Sequence, residues 1–180
     1  AGMVDNTAHR VYMQGVEPHA LVTGDDFNCI LDVAGRAYCW GVNDKGQLGR
    51  GQALADPDAL EDPNDTGRVW PVLTEVRFQA LAAGRDHVCG VSIHMGVFCW
   101  GSNARGQMGH GAPVPESQIQ WEPEMINPLI VSPVMSLAAG GGHTVLLDLE
   151  FADAPRSWGD NRWNQMGNPA QANGEDFLPP

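Results

Sequence analysis

One eleven-residue motif occurs twice almost unchanged and a third time in altered form. "CWGVNDKGQLG" ends at Gly49, "CWGSNARGQMG" ends at Gly109, and "SWGDNRWNQMG" ends at Gly167. A second element, "LVTG" or "LAAG", precedes each copy and ends at Gly24, Gly84 and Gly140. Self-similarity at a nearly fixed period is typical of propellers and solenoids, in which each repeat is one supersecondary unit. The repetition therefore restricts this chain to a repeat architecture.

Each repeat contains the pattern of several short strands. "HVCGVSI" and "VFCW" predict two strands joined by a hairpin turn near residues 94–96. The segment leading into each "AAG" and the segment after each "GQLG" add two more, and four antiparallel strands make one propeller blade. The 22 glycines and 13 prolines fall between short apolar runs, as in chains of many short strands. We predict an all-β fold of about three four-stranded, propeller-type blades that form an incomplete propeller or arc.

The 180 residues are interpreted as a single repeat domain covering positions 1–180. The repeats are placed at about 10–50, 68–110 and 127–168. The segments 50–68 and 109–127 are read as long loops between them. Hydrophobic residues make up 43% of the chain, which is enough for a packed core.

The polar and glycine residues of the motif are interpreted as structural turn residues. They are Gly41, Asn43, Gly46 and Gln47, their counterparts Gly101, Asn103, Gly106 and Gln107, and finally Gly159, Asn161, Asn164 and Gln165. Asn164 replaces a glycine, and asparagine is the residue that best tolerates a left-handed backbone. We expect the first asparagine of each motif to close an Asx-turn on the backbone two residues later, with the glutamine packing against or capping the turn. The motif contains no nucleophile and no group that titrates near neutrality, so a catalytic role is disfavoured.

The cysteines occupy matching places in the first two repeats, as the pairs Cys29 with Cys39 and Cys89 with Cys99. A hairpin brings such positions face to face, with Cβ atoms roughly 4.5 to 5.5 Å apart, near disulfide range. The third repeat has Val145 and Ser157 instead, so both members of the pair are lost together. Joint loss favours two intrablade disulfides over free core cysteines. The spacing lacks the close Cys pairs of zinc sites, so metal binding is the weaker alternative.

The motif "CWGxNxxGQLG" preceded by "LAAGxxHxC" resembles the repeat of the regulator of chromosome condensation family, whose members form seven-bladed β-propellers. The resemblance covers all three repeats and is closest to a disulfide-bearing extracytosolic branch. It implies binding through loops on one face of the blades. His87 and His143 stand at the family's histidine position and Phe27 takes that place in the first repeat, which favours packing over a ligand role.

Three repeats do not close a ring of seven blades. The chain is then a piece of a longer array, or its arc closes by self-association, or another protein covers its open ends. The nuclear founder of the family acts on a small GTPase and docks on chromatin, which fits poorly with disulfides and a net charge of −12. The tryptophan-rich "GWRHT" stretches of the plant ultraviolet photoreceptor are replaced here by "GRDHV" and "GGGHT". Secreted members of the family that inhibit β-lactamases match the predicted oxidising, non-cytosolic environment better.

Charge and hydropathy narrow the classes of partner and the compartment. The net charge of −12 disfavours nucleic acid and anionic lipid as direct partners. The longest apolar stretch is broken by Pro128 and Pro133, so we expect no membrane insertion, although docking on a membrane complex stays compatible. Disulfides indicate an oxidising, non-cytosolic compartment: secreted, periplasmic, or an organelle lumen such as that of the thylakoid. We expect no cofactor and no metal.

The tryptophans outside the motif's Trp-Gly position are candidate partner contacts, since aromatic residues are common interface anchors. They are Trp70, Trp121 and Trp163, and core packing of at least one is an equal alternative. The acidic segment "DPDALEDPND" in the first long loop carries the carboxylates of a Ca²⁺ site without the spacing of an EF-hand. A solvated acidic loop is the preferred interpretation.

Two classes of function are compatible with these features. The first is a non-catalytic protein-binding module, an accessory or scaffold subunit of a larger extracytosolic or lumenal assembly that binds protein partners through blade loops. A secreted inhibitor-like propeller is a variant of this class. The second is a hydrolase working from paired carboxylates. No pair of carboxylates recurs at a position that the repeats bring together, so the sequence predicts a binding module and not an enzyme.

Overall fold

The computed structural model describes residues 7–52, 69–110, 119–126, 133–149 and 155–167, and the elements described in these ranges are β-strands. The first strands are β1 (Pro18–Thr23), β2 (Phe27–Asp32), β3 (Ala37–Gly41) and β4 (Trp70–Pro71). Next come β5 (Phe78–Ala83), β6 (His87–Ser92), β7 (Val97–Ser102) and β8 (Ile119–Met125). The last are β9 (Val134–Ala139), β10 (His143–Asp148) and β11 (Arg156–Gly159). The described ranges hold no helix with the length and apolar character needed to cross a bilayer.

The strands form three antiparallel sheets, each of which is one blade. The strand orders are β1-β2-β3-β4, β5-β6-β7-β8 and β11-β10-β9. Strand β5 lies beside both β1 and β9, so the first strands of the blades are inner neighbours, and β4 and β8 are outer edges. The β6–β7 hairpin turns at residues 93–96, where the sequence predicted it. The predicted all-β fold of propeller-type blades is confirmed, and the three sheets do not close into a ring.

The blades do not share the boundaries of the sequence repeats. The outer strand β4 of the first blade lies inside the range assigned to the second repeat, and β8 lies inside the segment 109–127 that was read as a loop. Strand β8 is "IQWEPEM", and its proline and two glutamates are residue types depleted in strands. An outer edge tolerates them, since one side of the strand needs no ladder partner. The third sheet has three strands within the described ranges, and most of the predicted loop 50–68 lies outside them.

The core consists of two apolar clusters, each between neighbouring blades. The first joins the first and second blades and contains Phe27, Cys29, Leu31, Ala37, Cys39, Leu48, Val72, Phe78, Val88 and Trp100. The second joins the second and third blades and contains Cys89, Val91, Val97, Cys99, Met108, Ile126, Leu146 and Trp158. The middle blade is therefore buried on both faces, and strand β6 is buried along its whole length. In the third blade only alternate residues of β10 are fully buried, because one face of that sheet is less covered.

Each of the first two blades contains a disulfide between its second and third strands. Cys29 is paired in register with Cys39, and Cys89 with Cys99, with Cα atoms 4.1 Å apart in both pairs. The corresponding register pair of the third blade is Val145 with Ser157. The alignment of the repeats, and with it the joint loss of two bonded cysteines, matches the structure.

The disulfide between Cys89 and Cys99 is expected to stabilise the blade as one unit. Replacing either cysteine by serine should lower the free energy of unfolding by about 3 kcal/mol, because the same loop constraint on the unfolded chain is removed. The double variant should lose little more than either single variant, since the two residues share one bond. Urea unfolding of the three variants without reductant measures this, and additive losses would contradict it.

Candidate protein-interaction face

One end of the sheets gathers loops from all three blades. Strands in an antiparallel sheet alternate in direction, so the connection between the first two strands of a blade and the turn after its third strand lie at the same end. We call this end the turn face. It comprises residues 24–26, 84–86 and 140–142 of the inner connections and residues 42–49, 103–109 and 160–167 of the motif turns.

The motif turn is built by hydrogen bonds from two recurring side chains. The Asn43 Oδ1 atom accepts from the Leu48 N–H at 3.0 Å, and the Gln47 Oε1 atom accepts from the Lys45 N–H at 2.8 Å. The equivalent bonds recur in the other turns, with acceptors Asn103, Gln107, Asn161 and Gln165 and distances from 2.7 to 3.1 Å. Backbone groups that cannot join a sheet are thereby satisfied inside the loop.

The expected Asx-turn is wrong in its register. The asparagine accepts from the residue five positions later, while the amide two positions later donates to the glutamine. An Asx-turn is the usual local hydrogen bond of an asparagine considered alone. In this motif the glutamine accepts from the N–H that an Asx-turn would use, namely the Lys45 N–H in the first repeat. The expected capping role of the glutamine agrees with these bonds.

The turn requires a left-handed residue three positions before its last glycine. The φ angles there are +73° at Gly46, +75° at Gly106 and +58° at Asn164. The substitution of asparagine for glycine in the third repeat follows from this backbone geometry, because asparagine is among the few residues with a side chain that adopt it.

The motif turn of one blade holds the tryptophan of the next blade. The Trp100 Nε1–H donates to the Gln47 carbonyl at 3.0 Å, and a Cβ on Gly49 would lie 2.9 Å from the same nitrogen. Trp158 donates to the Gln107 carbonyl at 2.8 Å and lies against Gly109 in the same way. Both indoles are fully buried. The last glycine of the motif thus leaves room for the neighbouring ring.

The inner connections carry an aromatic ring over a glycine in every blade. Phe27, His87 and His143 cover Gly24, Gly84 and Gly140, where a Cβ would overlap the ring. This common packing supports the structural interpretation of the two histidines.

His87 also links two blades. It is fully buried, and its Nε2 atom lies 3.0 Å from the Thr144 Oγ1 atom of the third blade. Burial, with a smaller contribution from the charge of His143, lowers the pKa of His87 from 6.5 to about 4. The imidazole is therefore neutral at physiological pH and acts as a hydrogen-bonded core residue.

An open cavity of about 460 Å³ lies on the turn face between the second and third blades. Basic side chains of all three blades line it, namely Lys45, Arg85, Arg105 and Arg162. Carboxylates alternate with them: Arg85 Nε lies 3.2 Å from Asp25 Oδ2, and Arg105 Nε lies 3.8 Å from Asp160 Oδ2. The cavity wall therefore offers charges of both signs, although the whole chain is strongly acidic.

The pKa values of two carboxyl groups that line the cavity are shifted in opposite directions. Hydrogen bonds from the Arg162 side chain, two of them at 3.0 and 2.7 Å, lower the pKa of Asp160 below its ordinary value. Burial raises the pKa of Asp86, against the smaller opposing effect of the Arg85 charge. Asp160 is thus held ionised as the centre of a small charge network, where it orients Arg162 at the cavity edge.

The three candidate contact tryptophans do not form one site. Trp70 and Trp121 lie on the outer strands β4 and β8 of neighbouring blades and are half-buried. The Arg50 guanidinium stacks 4.5 Å from the centre of the Trp70 ring, so this indole already has an intramolecular contact. Trp163 lies in the third motif turn with 85% of its surface exposed, beside Arg162 of the cavity edge. Of the three, Trp163 alone is on the turn face.

Sequence reasoning missed the charged residues around the cavity. One position of the three motif turns holds a different residue in each repeat: Lys45, Arg105 or Trp163. Arg85 follows Gly84, a glycine that recurs in all three inner connections. This variation at fixed turn positions was the available signal, because residues that vary within a repeated scaffold are those the scaffold does not need. The described residues hold no cluster of three potential metal ligands, and most of the acidic loop lies outside them.

Comparison with known proteins identifies the repeat. The family model described as "Regulator of chromosome condensation (RCC1) repeat" matches residues 34–91 and 96–147. A second model with the same description matches residues 19–47 and 78–107. Together these ranges include the sheets and motif turns of the first two blades and part of the third.

Similar proteins carry this repeat within much longer chains. The probable E3 ubiquitin-protein ligase HERC4 of Rattus norvegicus is 38% identical over 95 residues, which are 53% of this chain and 8% of that protein. The probable E3 ubiquitin-protein ligase HERC6 of Homo sapiens is 30% identical over 132 residues, 73% of this chain and 12% of that protein. This chain therefore spans only a small part of these relatives.

Solved structures share the fold. The structure of Prp20p from Saccharomyces cerevisiae superposes with a TM-score of 0.75 at 22% identity, covering 92% of this chain and 38% of that chain. Human WBSCR16 gives a TM-score of 0.66 at 24% identity, covering 88% of this chain and 39% of that chain. At these identities the likeness concerns the arrangement of the blades.

Asn164 is expected to tolerate glycine but not valine. Its side chain is exposed, and glycine adopts the same left-handed backbone without strain, so Asn164→Gly should change the free energy of unfolding by only about 0.5 kcal/mol. Asn164→Val should lower it by about 1 to 3 kcal/mol, because a β-branched residue is strained at φ +58°. Urea unfolding compares the two variants, and equal effects would contradict the left-handed turn.

The buried His87 predicts a pH-dependent stability. Its pKa in the folded protein is about 4 and its ordinary value is 6.5, so the unfolded chain binds more protons between these pH values. Stability should fall as the pH decreases from about 6.5 to 4, by about 3 kcal/mol for this group. His87→Phe, which copies Phe27 of the first repeat, should remove this part of the dependence. Unfolding midpoints at several pH values test it, with His94→Phe as the control, because His94 is exposed on the hairpin at the opposite end of the middle blade.

Proposed function

Because the chain belongs to the regulator of chromosome condensation (RCC1) repeat family, we propose that it is a non-catalytic protein-binding module acting as an accessory or scaffold subunit of a larger assembly. Its buried titratable groups serve packing: His87 bonds to Thr144 within the core, and Asp160 is bonded to Arg162. The recurring side chains of the motif are used in holding turns together. Because these polar groups hold the core and the turns together, the blades act as a scaffold that presents exposed loops.

The observation that carries the proposal is the turn face with its cavity. Loops from three blades present Lys45, Arg105 and Arg162 around one open depression, and the exposed Trp163 follows Arg162 in the third turn. Exposed aromatic and arginine side chains next to each other are typical anchors of protein interfaces. Since carboxylates alternate with the basic groups, the complementary partner is a protein surface with charges of both signs rather than a uniformly charged polymer.

The relatives support a role in protein interaction. Prp20p of Saccharomyces cerevisiae, which shares the blade arrangement, has binding properties toward Gsp1p and histones. The HERC relatives are named as ubiquitin ligases, and the shared segment is 8% and 12% of their length. We therefore extend to this chain only the use of the repeats for protein binding, and not the ligase activity of the HERC relatives.

We place the protein in an oxidising, non-cytosolic compartment. The support is the pair of intrablade disulfides, because cytosolic thiols are kept reduced. In such a compartment, the turn face is available to other lumenal or secreted proteins, including the exposed part of a membrane complex.

A photo-reactive residue at position 163 tests the proposed interface in the cells of origin. We expect irradiation to join the chain to a specific protein partner through position 163, because this exposed residue follows Arg162, which lines the cavity. A photo-reactive residue at position 93 is the control, since Ile93 is 51% exposed on the hairpin at the opposite end of the middle blade. Adding Arg105→Ser should reduce the yield at position 163.

Two outcomes count against these proposals separately. Equal adducts from positions 163 and 93, or none from position 163, would reject the turn face as the binding surface. Alkylation of the same isolated protein before and after reduction reports on the compartment. Four thiols that react before reduction would reject the oxidising location.

A further inference from the structure

The four basic side chains that line the turn-face cavity differ in how their charges are compensated. Three of them each have a carboxylate of their own, in the pairs Lys45 with Asp44, Arg85 with Asp25, and Arg162 with Asp160. Arg105 is the fourth. Among the described residues its ion pair is with the Asp160 Oδ2 atom, at 3.8 Å, and the Arg162 Nη2 atom already binds that oxygen at 2.7 Å. One carboxylate thus lies between two guanidinium groups, and one positive charge is left in surplus.

The repeat shows where a second carboxylate is missing. The second residue after the recurring glycine of an inner connection is Asp26, Asp86 or Gly142. Asp86 lines the cavity together with Lys45 of the preceding motif turn. Burial raises the pKa of Asp86, and the positive charge of Lys45 is among the effects that oppose this rise, so the two groups act on each other. Arg105 is the equivalent of Lys45 in the next motif turn, and the equivalent of Asp86 there is a glycine.

The space at this glycine opens beside Arg105. A Cβ on Gly142 would lie 3.2 Å from the Asp160 Cβ atom and 3.8 Å from the Arg105 Cδ atom. At the neighbouring Gly141, the nearest atom to such a Cβ is the Arg85 Nη2 atom, at 3.6 Å. The two glycines therefore form a stretch of cavity wall without side chains between two arginines. The Arg105 side chain is 45% exposed, so its guanidinium group can be reached from solvent.

We propose that an acidic side chain of the partner protein enters the cavity at Gly142 and pairs with Arg105. The inference rests on the proposed function, because the cavity belongs to the turn face and the ligand is a residue of the partner that binds there. The incoming carboxylate takes the place that an aspartate of this chain occupies in the preceding blade. Two guanidinium groups and two carboxylates then alternate, and the surplus charge is compensated.

A carboxylate suits this place because of the donors that surround it. A guanidinium group presents its N–H donors in a planar fork that matches the two oxygens of a carboxylate. A basic side chain would add to the surplus charge, and an apolar one would remove Arg105 from water without a partner. Asp160 opposes the incoming group only in part, because two hydrogen bonds from Arg162, at 3.0 and 2.7 Å, hold its carboxylate. The net charge of −12 acts at longer range, where salt screens it.

Two substitutions of the glycine separate charge from size. Gly142→Asp supplies the missing carboxylate from the chain itself, and Gly142→Asn adds a side chain of nearly the same size without the charge. With the photo-reactive residue at position 163 in the cells of origin, we expect the aspartate variant to lower the yield of partner adduct about tenfold, as for loss of a charged hydrogen bond. The asparagine variant should keep most of the yield. Unfolding midpoints of both variants show that they fold.

The outcomes distinguish this inference from the proposed function. Equal yields from the two variants, whether kept or lost, would overturn the acidic ligand and leave the turn face as the binding surface. A wild-type chain that gives no adduct at position 163 would reject the proposed function, and this inference with it. An adduct whose partner segment contains neither aspartate nor glutamate would also overturn the acidic ligand.

A double-mutant cycle with the purified partner tests the pair directly and does not depend on the glycine variants. Each acidic residue of the linked partner segment is replaced in turn by its amide, and each replacement is combined with Arg105→Gln. For one of these residues the two single changes should each weaken binding about tenfold, and the double change little more, because both remove the same contact. Lys45→Gln is the control and should combine additively, since Asp44 already pairs with Lys45. Additive losses with Arg105→Gln for every acidic residue would reject the pairing.

Discussion

The hydrogen bond from a buried tryptophan to the glutamine carbonyl of the preceding turn is the interaction on which the arrangement of blades depends. The indole of Trp100 or Trp158 needs an acceptor at a fixed place, because its N–H is removed from water. The asparagine and glutamine bonds of the motif turn hold that acceptor in position. The last glycine leaves space for the ring. One short motif thus couples the shape of a loop to the packing of the next sheet.

This coupling gives the chain the character of a linear array. Each blade contacts its sequence neighbours, so stability comes from the blades and from the interfaces between them. The middle blade is buried on both faces, and the end blades are less completely covered. The third blade has Val145 and Ser157 where the others have a disulfide, so its sheet relies on the packing of Leu146 and Trp158 against the second blade.

The scaffold separates structural from variable positions. The motif asparagines, glutamines and glycines are committed to the turns, whereas the residue before the left-handed position is Lys45, Arg105 or Trp163. Lys45 and Arg105 line the cavity on the turn face, and Trp163 is exposed on the same face. Partner recognition can therefore change at such positions while the fold is kept, as expected of a repeat that serves many binding proteins.

The sequence by itself determined the repeat, the strands of the hairpins, the cysteine pairing and the left-handed turn, because each depends on residues close together in the chain or at a fixed period. The outer strand β8 was missed, since an edge strand accepts the proline and glutamates that argue against strand formation. The tertiary structure decided which blade covers which face and where charges converge. Lys45, Arg105 and Asp160 come from three different repeats, and only the packing of one blade against the next brings them to one cavity.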